Sequence, residues 1–252
     1  MSGAEPANEQ QTQSERAMWC MEACGRQTQQ QSELNMKYQN IVRAKFIDRP
    51  NRFIAHVQLE GDVETVHVKN TGRCRELLVS GADVLLEKSS NPERKTGYDL
   101  VTVWKDGLGW VNIDSQTPNK IAYEWLLGQG YDYVRPEYTY GNSRFDFYME
   151  RDGQRYFMEV KGCTLEVDGV GYFPDAPTER GTKHLKELVK AAGEGYNCAV
   201  CFVIQMEGIN EVRPNVSTDP AFAAAYEEAV KAGVEVVLLK CRVGEDNVVC
   251  WE

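Results

Sequence analysis

The alternation of apolar and polar residues divides the chain into two differently patterned parts. From residue 36 to about 115, short runs with the two-residue period of β-strands are separated by Gly, Asn, Asp and Pro. The predicted strands cover residues 41–46, 53–59, 65–68, 83–87, 99–104 and 110–113, with a brief helical stretch at 73–79. Strands of this number and length predict a small β-barrel of the oligonucleotide-binding (OB-fold) type. A β-sandwich is the alternative that the pattern leaves open.

The pattern changes to a helical period at residues 117–120. A helix over 121–128 is followed by two adjacent strands, a short strand at 170–173 and a helix from an N-cap at Thr178 to about residue 192. An apolar strand at 197–205, a helix at 220–232, a strand at 234–241 and a tail or edge strand complete the order. This succession predicts an α/β domain with a central mixed sheet.

We therefore expect an α+β protein with two domains, at residues 36–117 and 118–252. Residues 1–35 are rich in Gln, Ser and Glu and offer too little apolar surface to offset the entropy of ordering, so we predict a disordered tail there.

The two adjacent strands at 144–149 and 156–161 carry the most distinctive chemistry. They flank Asp152-Gly153, a pair typical of a tight hairpin turn. Because residues two apart share a face of a strand, Glu159 and Lys161 project together, and Asp146 on the paired strand lies near the same end. A hairpin thus brings two carboxylates and a lysine together.

Converging carboxylates repel each other unless a cation lies between them, and carboxylate oxygens are preferred ligands of Mg²⁺ or Mn²⁺. A lysine beside such an ion can position a water, so Asp146, Glu159 and Lys161 are candidates for phosphodiester hydrolysis. Glu124 on the preceding helix is a further candidate metal ligand. The alternatives are a solvated strand face for the hairpin residues and a solvent-facing side chain for Glu124.

Composition narrows the class of protein. The net charge of −10 argues against a generally basic nucleic-acid-binding surface, so any such binding must come from local patches. Eight cysteines without a recognisable secretory signal favour a reducing cytoplasm over a disulfide framework, and no apolar run approaches the roughly 18 residues of a membrane span. We expect a cytoplasmic protein without a membrane segment.

Local basic groups are the candidate nucleic-acid contacts. They lie on the first predicted barrel strand, in two Gly-containing loops and on the helix after Thr178. We assign the contacts to the basic residues Arg43, Lys45, Arg73, Arg75, Arg94, Lys95, Arg180, Lys183 and His184, together with the aromatic residue Tyr98. Arg, Lys and loop amides suit phosphate, and a ring such as that of Tyr98 suits base stacking. An ordinary solvated surface is the alternative for each of them.

The Asp146 and Glu159-x-Lys161 arrangement resembles the PD-(D/E)xK nuclease superfamily, although Phe145 stands where the nominal motif has Pro. The whole pattern from 36 to 242 resembles the sugar fermentation stimulation protein family, SfsA. The motifs that carry this resemblance are 70–73 (NTGR), 94–96 (RKT), 118–119 (PN), the hairpin and above all 173–181 (FPDAPTERG).

This resemblance implies an N-terminal OB-like domain, a C-terminal nuclease-like domain, DNA as partner with RNA as an alternative, and a link to maltose metabolism. Two functions follow as hypotheses. One is a Mg²⁺- or Mn²⁺-dependent DNA/RNA nuclease. The other is a non-catalytic, largely sequence-nonspecific DNA-binding regulator with an inert acid cluster. The oligomeric state stays open, with a homodimer as one option.

Overall fold

The computed structural model describes residues 34–252, which form sixteen strands and three helices. The N-terminal strands are β1 (Leu34–Lys37), β2 (Ile41–Asn51), β3 (Ile54–Leu59), β4 (Asp62–Val68), β5 (Asp83–Lys88), β6 (Tyr98–Lys105) and β7 (Gly109–Asn112). The predicted tail lies outside the described residues except for Leu34 and Asn35, which belong to β1 and are therefore ordered as a strand.

The C-terminal part contains all three helices. Its elements are α1 (Thr117–Gly128), β8 (Tyr133–Tyr140), β9 (Ser143–Arg151), β10 (Gln154–Cys163), β11 (Leu165–Val167), β12 (Val170–Phe173), α2 (Glu179–Gly193), β13 (Asn197–Ile204), β14 (Val212–Pro214), α3 (Pro220–Lys231), β15 (Glu235–Val243) and β16 (Asn247–Trp251).

Strands β2 to β6 form a closed five-stranded barrel. The order β4-β3-β2-β5-β6 is closed by a parallel pairing of β4 with β6, at His67 with Asp99 and Val68 with Leu100. Closure satisfies both sheet edges, which decides the barrel over the sandwich. The predicted helical stretch at 73–79 is wrong, since these residues form turns, although Leu77 is buried in the barrel core as its apolar character requires.

The C-terminal part is built on a seven-stranded mixed sheet in the order β1-β16-β15-β13-β10-β9-β8. Strands β10, β13 and β15 are parallel and the other pairs are antiparallel. Helices α2 and α3 cover one face, with Leu185 and Phe222 against Phe202. Helix α1 lies on the other face, with Ile121 against Cys201. Helices on both faces explain the nearly continuous apolar sequence of β13.

The barrel and the sheet share a hydrophobic core. Ile204, the last residue of β13, and Met206 just after it belong to the same apolar cluster as barrel residues such as Val103. The backbone N–H of Asn112 donates to the carbonyl of Gln205 at 2.9 Å. The barrel interior is thus completed by residues from the C-terminal part of the chain.

The C-terminal end differs from the sequence-based expectation. Strand β16 lies between β1 and β15, so it is neither a tail nor an edge strand. Its register places Cys250 directly opposite Cys241 on β15, with Cα atoms 4.1 Å apart, and the two form a disulfide. The other cysteines of residues 34–252 are free thiols. The sequence analysis did not predict this bond, because strand register is not evident from cysteine spacing.

Among residues 34–252, none of the helices has the length and apolar character needed to cross a lipid bilayer.

Candidate functional site

The hairpin of β9 and β10 forms as its sequence predicts. Asp152 and Gly153 have φ angles of 51° and 73°, the left-handed values that a two-residue hairpin turn requires. The ladder runs from the turn to the pair Met158–Phe147. Beyond that pair, the backbone N–H of Val160 donates to Oδ2 of Asp146 at 2.8 Å. A side chain thus replaces the neighbouring strand as the acceptor.

The alternation of β9 slips by one residue at Asp146. Phe145 packs with the helices α2 and α3, whereas Phe147, two residues later, packs on the opposite face with α1. Residues two apart on a regular strand share a face, so the strand is locally distorted here. The distortion places the Asp146 carboxylate beside β10 instead of in either core.

Asp146 is also held by helix α1. The side-chain amide of Asn119, in the first turn of the helix, donates to Oδ1 of Asp146 at 2.8 Å. Burial raises the pKa of Asp146 above its usual value, and the nearby Glu159 carboxylate raises it further. Sequence reasoning noted Pro118-Asn119 only as part of a motif and missed this role of Asn119.

Glu159 is the most buried member of the group, with 2% of its surface exposed. Both Lys161 Nζ and His184 Nδ1 contact its Oε1 atom. Burial alone would raise the pKa of Glu159, but Lys161 and His184 outweigh burial and hold it below its usual value. The carboxylate is therefore ionised at neutral pH, with its charge partly neutralised by Lys161.

The second oxygen of Glu159 has no such partner. Oε2 is buried and accepts no hydrogen bond from any residue in the range 34–252. A buried carboxylate oxygen without a donor is costly, so native proteins rarely leave one without a function. Together with Asp146 it forms a pair of carboxylates with one free, desolvated oxygen. We call Asp146, Glu159 and Lys161 the acid–lysine cluster.

His184 lies inside the protein, which contradicts the solvated helix surface that the sequence left open as the alternative to nucleic-acid contact. It is 5% exposed, because helix α2 starts at the Thr178 cap and turns residue 184 toward Glu159. The predicted cap is confirmed, since Thr178 Oγ1 accepts from Gly181 N at 3.0 Å. The Nε of exposed Arg180 lies 3.5 Å from Nε2 of His184. His184 thereby links Arg180 to Glu159.

The donor set suits a hard divalent ion. Mg²⁺ is commonly held by one or two carboxylates and keeps several waters or phosphate oxygens as its other ligands. Asp146 and the free oxygen of Glu159 match that requirement, whereas the described part of the chain contains no group of three or more His, Cys, Asp or Glu side chains arranged as a complete metal cage. The site is compatible with an ion that shares its ligands with solvent or substrate.

Glu124 is exposed on α1, and no contact within residues 34–252 joins it to the acid–lysine cluster. It lies five residues after Asn119, a rotation of about 140° around a helix, so the two side chains point in different directions. The role of Glu124 as a metal ligand stays a prediction.

The candidate nucleic-acid residues fall into two groups. The first is engaged with protein groups: Arg43 pairs with Glu245, Lys45 with Asp83, Arg94 with Asp99, Lys183 donates to the carbonyl of Asn142, and Tyr98 packs partly buried against the barrel core. The buried His184, which contacts Glu159, also belongs to this first group. The second is exposed without a carboxylate partner among the described residues: Arg73, Arg75, Lys95 and Arg180. The second group is free to meet phosphate, and for all ten residues nucleic-acid contact stays a prediction.

Asp99 is the centre of a second charged cluster, in the barrel. Its Oδ1 lies 3.0 Å from His67 Nδ1 and accepts from Arg94 at 2.6 Å, and its Oδ2 accepts from Arg94 at 2.9 Å and from Lys69 at 2.8 Å. Burial would raise the pKa of Asp99, but Arg94 and Lys69 lower it well below its usual range. We call these four residues the Asp99 cluster.

A cavity of about 510 Å³ adjoins the acid–lysine cluster where the barrel meets the C-terminal part. Its lining includes the barrel loop with Gly72 and Arg73, the start of α1 with Asn119, and the segment from Phe173 to Thr178. This is where three of the motifs found in the sequence, 70–73, 118–119 and 173–181, come together.

The chain is similar to proteins of one known family. A family model described as the sugar fermentation stimulation protein RE domain matches residues 116–247, and one described as the SfsA N-terminal OB domain matches residues 47–113. The sugar fermentation stimulation protein homologue of Desulfitobacterium hafniense (strain Y51) is 51% identical over 217 residues, which cover 84% of this chain and 94% of that protein.

Two further similarities extend the comparison. The homologue of Clostridium beijerinckii is 49% identical over 217 residues, with 84% of this chain and 96% of that protein covered. Among solved structures, "The structure of Pyrococcus Furiosus SfsA in complex with Ca2+" matches with a TM-score of 0.78 and 27% identity, over 86% of this chain and 96% of that chain.

Proposed function

The chain belongs to the sugar fermentation stimulation protein (SfsA) family, and from this premise we propose that it binds nucleic acid and hydrolyses phosphodiester bonds with Mg²⁺ or Mn²⁺. The observation that carries the proposal is the buried, unpartnered Oε2 of Glu159 beside the Asp146 carboxylate. The Ca²⁺ complex described for the Pyrococcus furiosus protein adds support, because Ca²⁺ and Mg²⁺ both prefer oxygen ligands.

Each residue of the acid–lysine cluster, and each residue that contacts it, has a separate proposed role. Asp146 and Glu159 would hold the ion, which when bound would polarise the phosphate and lower the pKa of a water. Asn119 and the Val160 N–H fix the Asp146 carboxylate through both of its oxygens. Lys161 lies on the same strand face as Glu159, in a position to hold the attacking water by its ammonium group. Arg180 is exposed next to the cluster and available to a phosphate oxygen.

The barrel supplies the second half of the function. A closed OB-type barrel commonly holds nucleic acid on one face and in its loops. The unpaired cations Arg73, Arg75 and Lys95 lie on such loops. Because these contacts neutralise phosphates, binding should weaken as salt is raised. DNA and RNA are both compatible with this binding mode.

Cleavage of labelled single- and double-stranded DNA and RNA, with and without Mg²⁺ or Mn²⁺, tests the proposal. We expect metal-dependent cleavage that falls by about 100-fold or more in Asp146→Asn and Lys161→Met, with nucleic-acid binding retained. Glu228→Gln serves as the matched control, because Glu228 is an exposed carboxylate on α3 with no proposed role and its substitution should leave the rate unchanged.

One specific observation favours a second function. Lys161 and His184 both contact the same oxygen of Glu159, an arrangement that can hold the fold together without any ion. In that case the protein is a non-catalytic, largely sequence-nonspecific DNA-binding regulator. Binding without cleavage by the wild type, or equal cleavage by wild type and Asp146→Asn, would favour this function.

A further inference from the structure

We infer that the cavity beside the acid–lysine cluster binds one unpaired nucleotide, so that the substrate carries an unpaired strand. The inference deepens the proposed function and rests on it for the position of the scissile bond. The cavity of about 510 Å³ lies within the range of roughly 300–1,000 Å³ typical of small-ligand sites. Such a space accommodates a single nucleotide and excludes a base-paired double helix.

The walls of the cavity are tied together, so it cannot open into a wide groove without breaking contacts. Asp175 accepts a hydrogen bond from the backbone N–H of Cys74 at 3.1 Å, which joins the barrel loop to the C-terminal segment. A Cβ atom on Gly72 would lie 2.6 Å from Asp175 Oδ2, so only glycine allows this approach. The barrel and the segment at 173–178 therefore form one fixed enclosure.

The loop itself is held from behind by Arg49. Its guanidinium donates to the carbonyl oxygens of Gly72 at 2.9 Å and Arg73 at 3.0 Å, and to those of Asn70 and Arg52 at 2.6 Å each. A single cation that binds four carbonyls fixes the loop conformation, because backbone carbonyls of a free loop would otherwise bond to water. The enclosure is thus preorganised for a ligand.

Two exposed cations on the lining can receive a phosphate. Arg52 and Arg73 both line the cavity, and neither pairs with a carboxylate among residues 34–252. In this they differ from Arg43 and Lys45 on the same barrel, whose charges are matched by Glu245 and Asp83. Unpaired arginines at the edge of a nucleotide-sized space indicate an anionic ligand with its phosphate near the surface.

The interior suits a base and a sugar more than a second phosphate. Asp175 Oδ1 accepts no hydrogen bond from the described residues, and a carboxylate oxygen can bond to an amino group of a base or to a ribose hydroxyl. The half-buried ring of Tyr172 also lines the space and offers a stacking surface.

The cavity is joined to the acid–lysine cluster by shared residues. Asn119 and Val160 line it, and both donate hydrogen bonds to the Asp146 carboxylate. A nucleotide in the cavity therefore places an adjacent phosphodiester next to Asp146. Because that nucleotide cannot form a base pair in the cavity, the substrate is restricted to single strands, frayed ends or flaps.

The test is a binding measurement in EDTA, which separates it from cleavage. Fluorescence anisotropy would compare a labelled single-stranded DNA 12-mer, an RNA 12-mer of the same sequence and a blunt DNA hairpin. We expect at least about tenfold tighter binding of a single strand than of the hairpin. Ala176→Phe, which fills the cavity, and Arg73→Glu, which reverses the charge at its edge, should each weaken single-strand binding by about tenfold or more.

The controls repeat the same chemical changes away from the cavity. Ala232→Phe and Lys231→Glu lie at the exposed end of α3 and should leave binding unchanged. Circular dichroism melting checks that Ala176→Phe is folded, and Arg73→Glu, at an exposed side chain, remains informative if it is not. A preference between the DNA and RNA strands identifies the sugar, and either preference supports the inference.

Equal affinity for the hairpin and the single strand would overturn the inference, as would normal single-strand binding by folded Ala176→Phe and by Arg73→Glu. Either result leaves the proposed nuclease activity intact if duplex is cleaved. Conversely, selective single-strand binding without any metal-dependent cleavage would support the cavity as a nucleotide site and contradict the proposed hydrolysis.

Discussion

Two of the carboxylates buried beside cations, Asp99 in the barrel and Glu159 in the sheet, have opposite hydrogen-bonding arrangements. Asp99 has four contacts with His67, Arg94 and Lys69, two on each of its oxygens. Glu159 has two contacts on Oε1 and none on Oε2 among the described residues. Both carboxylates are almost fully buried, with exposures of 3% and 2%.

The difference separates a carboxylate that stabilises the fold from one that keeps an oxygen available to a ligand. A saturated carboxylate has no capacity for a ligand, and its partners close the barrel where β4 meets β6. A half-satisfied one keeps an oxygen available at the cost of its desolvation. Burial and pKa direction alone do not make this distinction, because both groups have lowered pKa values. The number of hydrogen-bond donors on each carboxylate oxygen does distinguish them.

The largest expected effect is on cleavage, from a substitution at Glu159 that changes the charge of the side chain and keeps its shape. Glu159→Gln keeps the shape of the side chain and an acceptor for Lys161 and His184, but it removes the charge that we propose holds a metal. Asp146 stays as a counter-charge for Lys161 and is relieved of repulsion by Glu159. We therefore expect metal-dependent cleavage to fall by about 100-fold or more, with a change in unfolding free energy of about 1 kcal/mol or less. Paired activity assays and urea titrations measure both, and a loss of stability as large as the loss of activity would make Glu159 a structural residue.

The corresponding change in the barrel should reverse that result. Asp99→Asn leaves Arg94 without its counter-charge and removes the nearest of three carboxylates from Lys69, whose Nζ also lies 3.8 Å from Glu87 and 3.9 Å from Asp114. Breaking a buried pair costs about 3–5 kcal/mol. We expect a loss of about 3 kcal/mol in the unfolding free energy, measured by urea titration, with cleavage retained at low temperature. Asp62→Asn, at an exposed position on β4, is the control and should be neutral.

The effect of metal on Tm should distinguish Glu159 from Asp99 without any activity measurement. A ligand at 100 times its Kd stabilises a protein by about 2.7 kcal/mol, which corresponds to a rise in Tm of about 5 °C for a chain of this size. We expect Mg²⁺ or Mn²⁺ to raise the Tm of the wild type and of Asp99→Asn, but not of Glu159→Gln. A normal rise in Glu159→Gln would place the ion elsewhere.

Acidification gives the smallest and most gradual effect. The pKa of Asp99 lies well below its unfolded value of about 3.9, so its ionised form stabilises the fold above about pH 4 and this stabilisation is lost as the pH falls further. The unfolding free energy of the wild type should therefore fall by up to about 1.4 kcal/mol per pH unit from this group. Asp99→Asn should lack that slope.

The acid–lysine cluster should contribute less to this pH dependence. The pKa of Glu159 is lowered, which adds stability at higher pH, whereas the raised pKa of Asp146 has the opposite sign. The two contributions offset each other. Urea titrations of wild type, Asp99→Asn and Glu159→Gln between pH 5 and pH 2.5 would show this, and an equal loss of slope in both variants would contradict it.

The fold was largely readable from local patterns. Two-residue alternation located the barrel strands, the Asp152-Gly153 pair fixed the hairpin, and Thr178 marked the start of α2. Glu159 and Lys161 share a strand face, as their spacing requires. These features depend on residues close together in sequence, so local periodicity is enough to predict them.

What sequence reasoning missed depends on long-range register. The slip at Asp146 and the turn of His184 toward Glu159 are set by how β9, β10 and α2 pack. The contacts of His67 and Lys69 with Asp99 follow from closure of the barrel, which brings β4 to β6. The Cys241–Cys250 bond follows from the β15–β16 register. None of these leaves a periodic signal in the chain.

The shared core also has a consequence for how the protein is made. The barrel strands end at Asn112, yet their apolar interior is completed by Ile204 and Met206. At a synthesis rate of roughly 5–20 residues per second, the ribosome needs about 5–20 s to make the intervening residues. During that interval the nascent barrel has an incomplete core with exposed apolar side chains. We expect it to depend on chaperone protection until β13 has emerged.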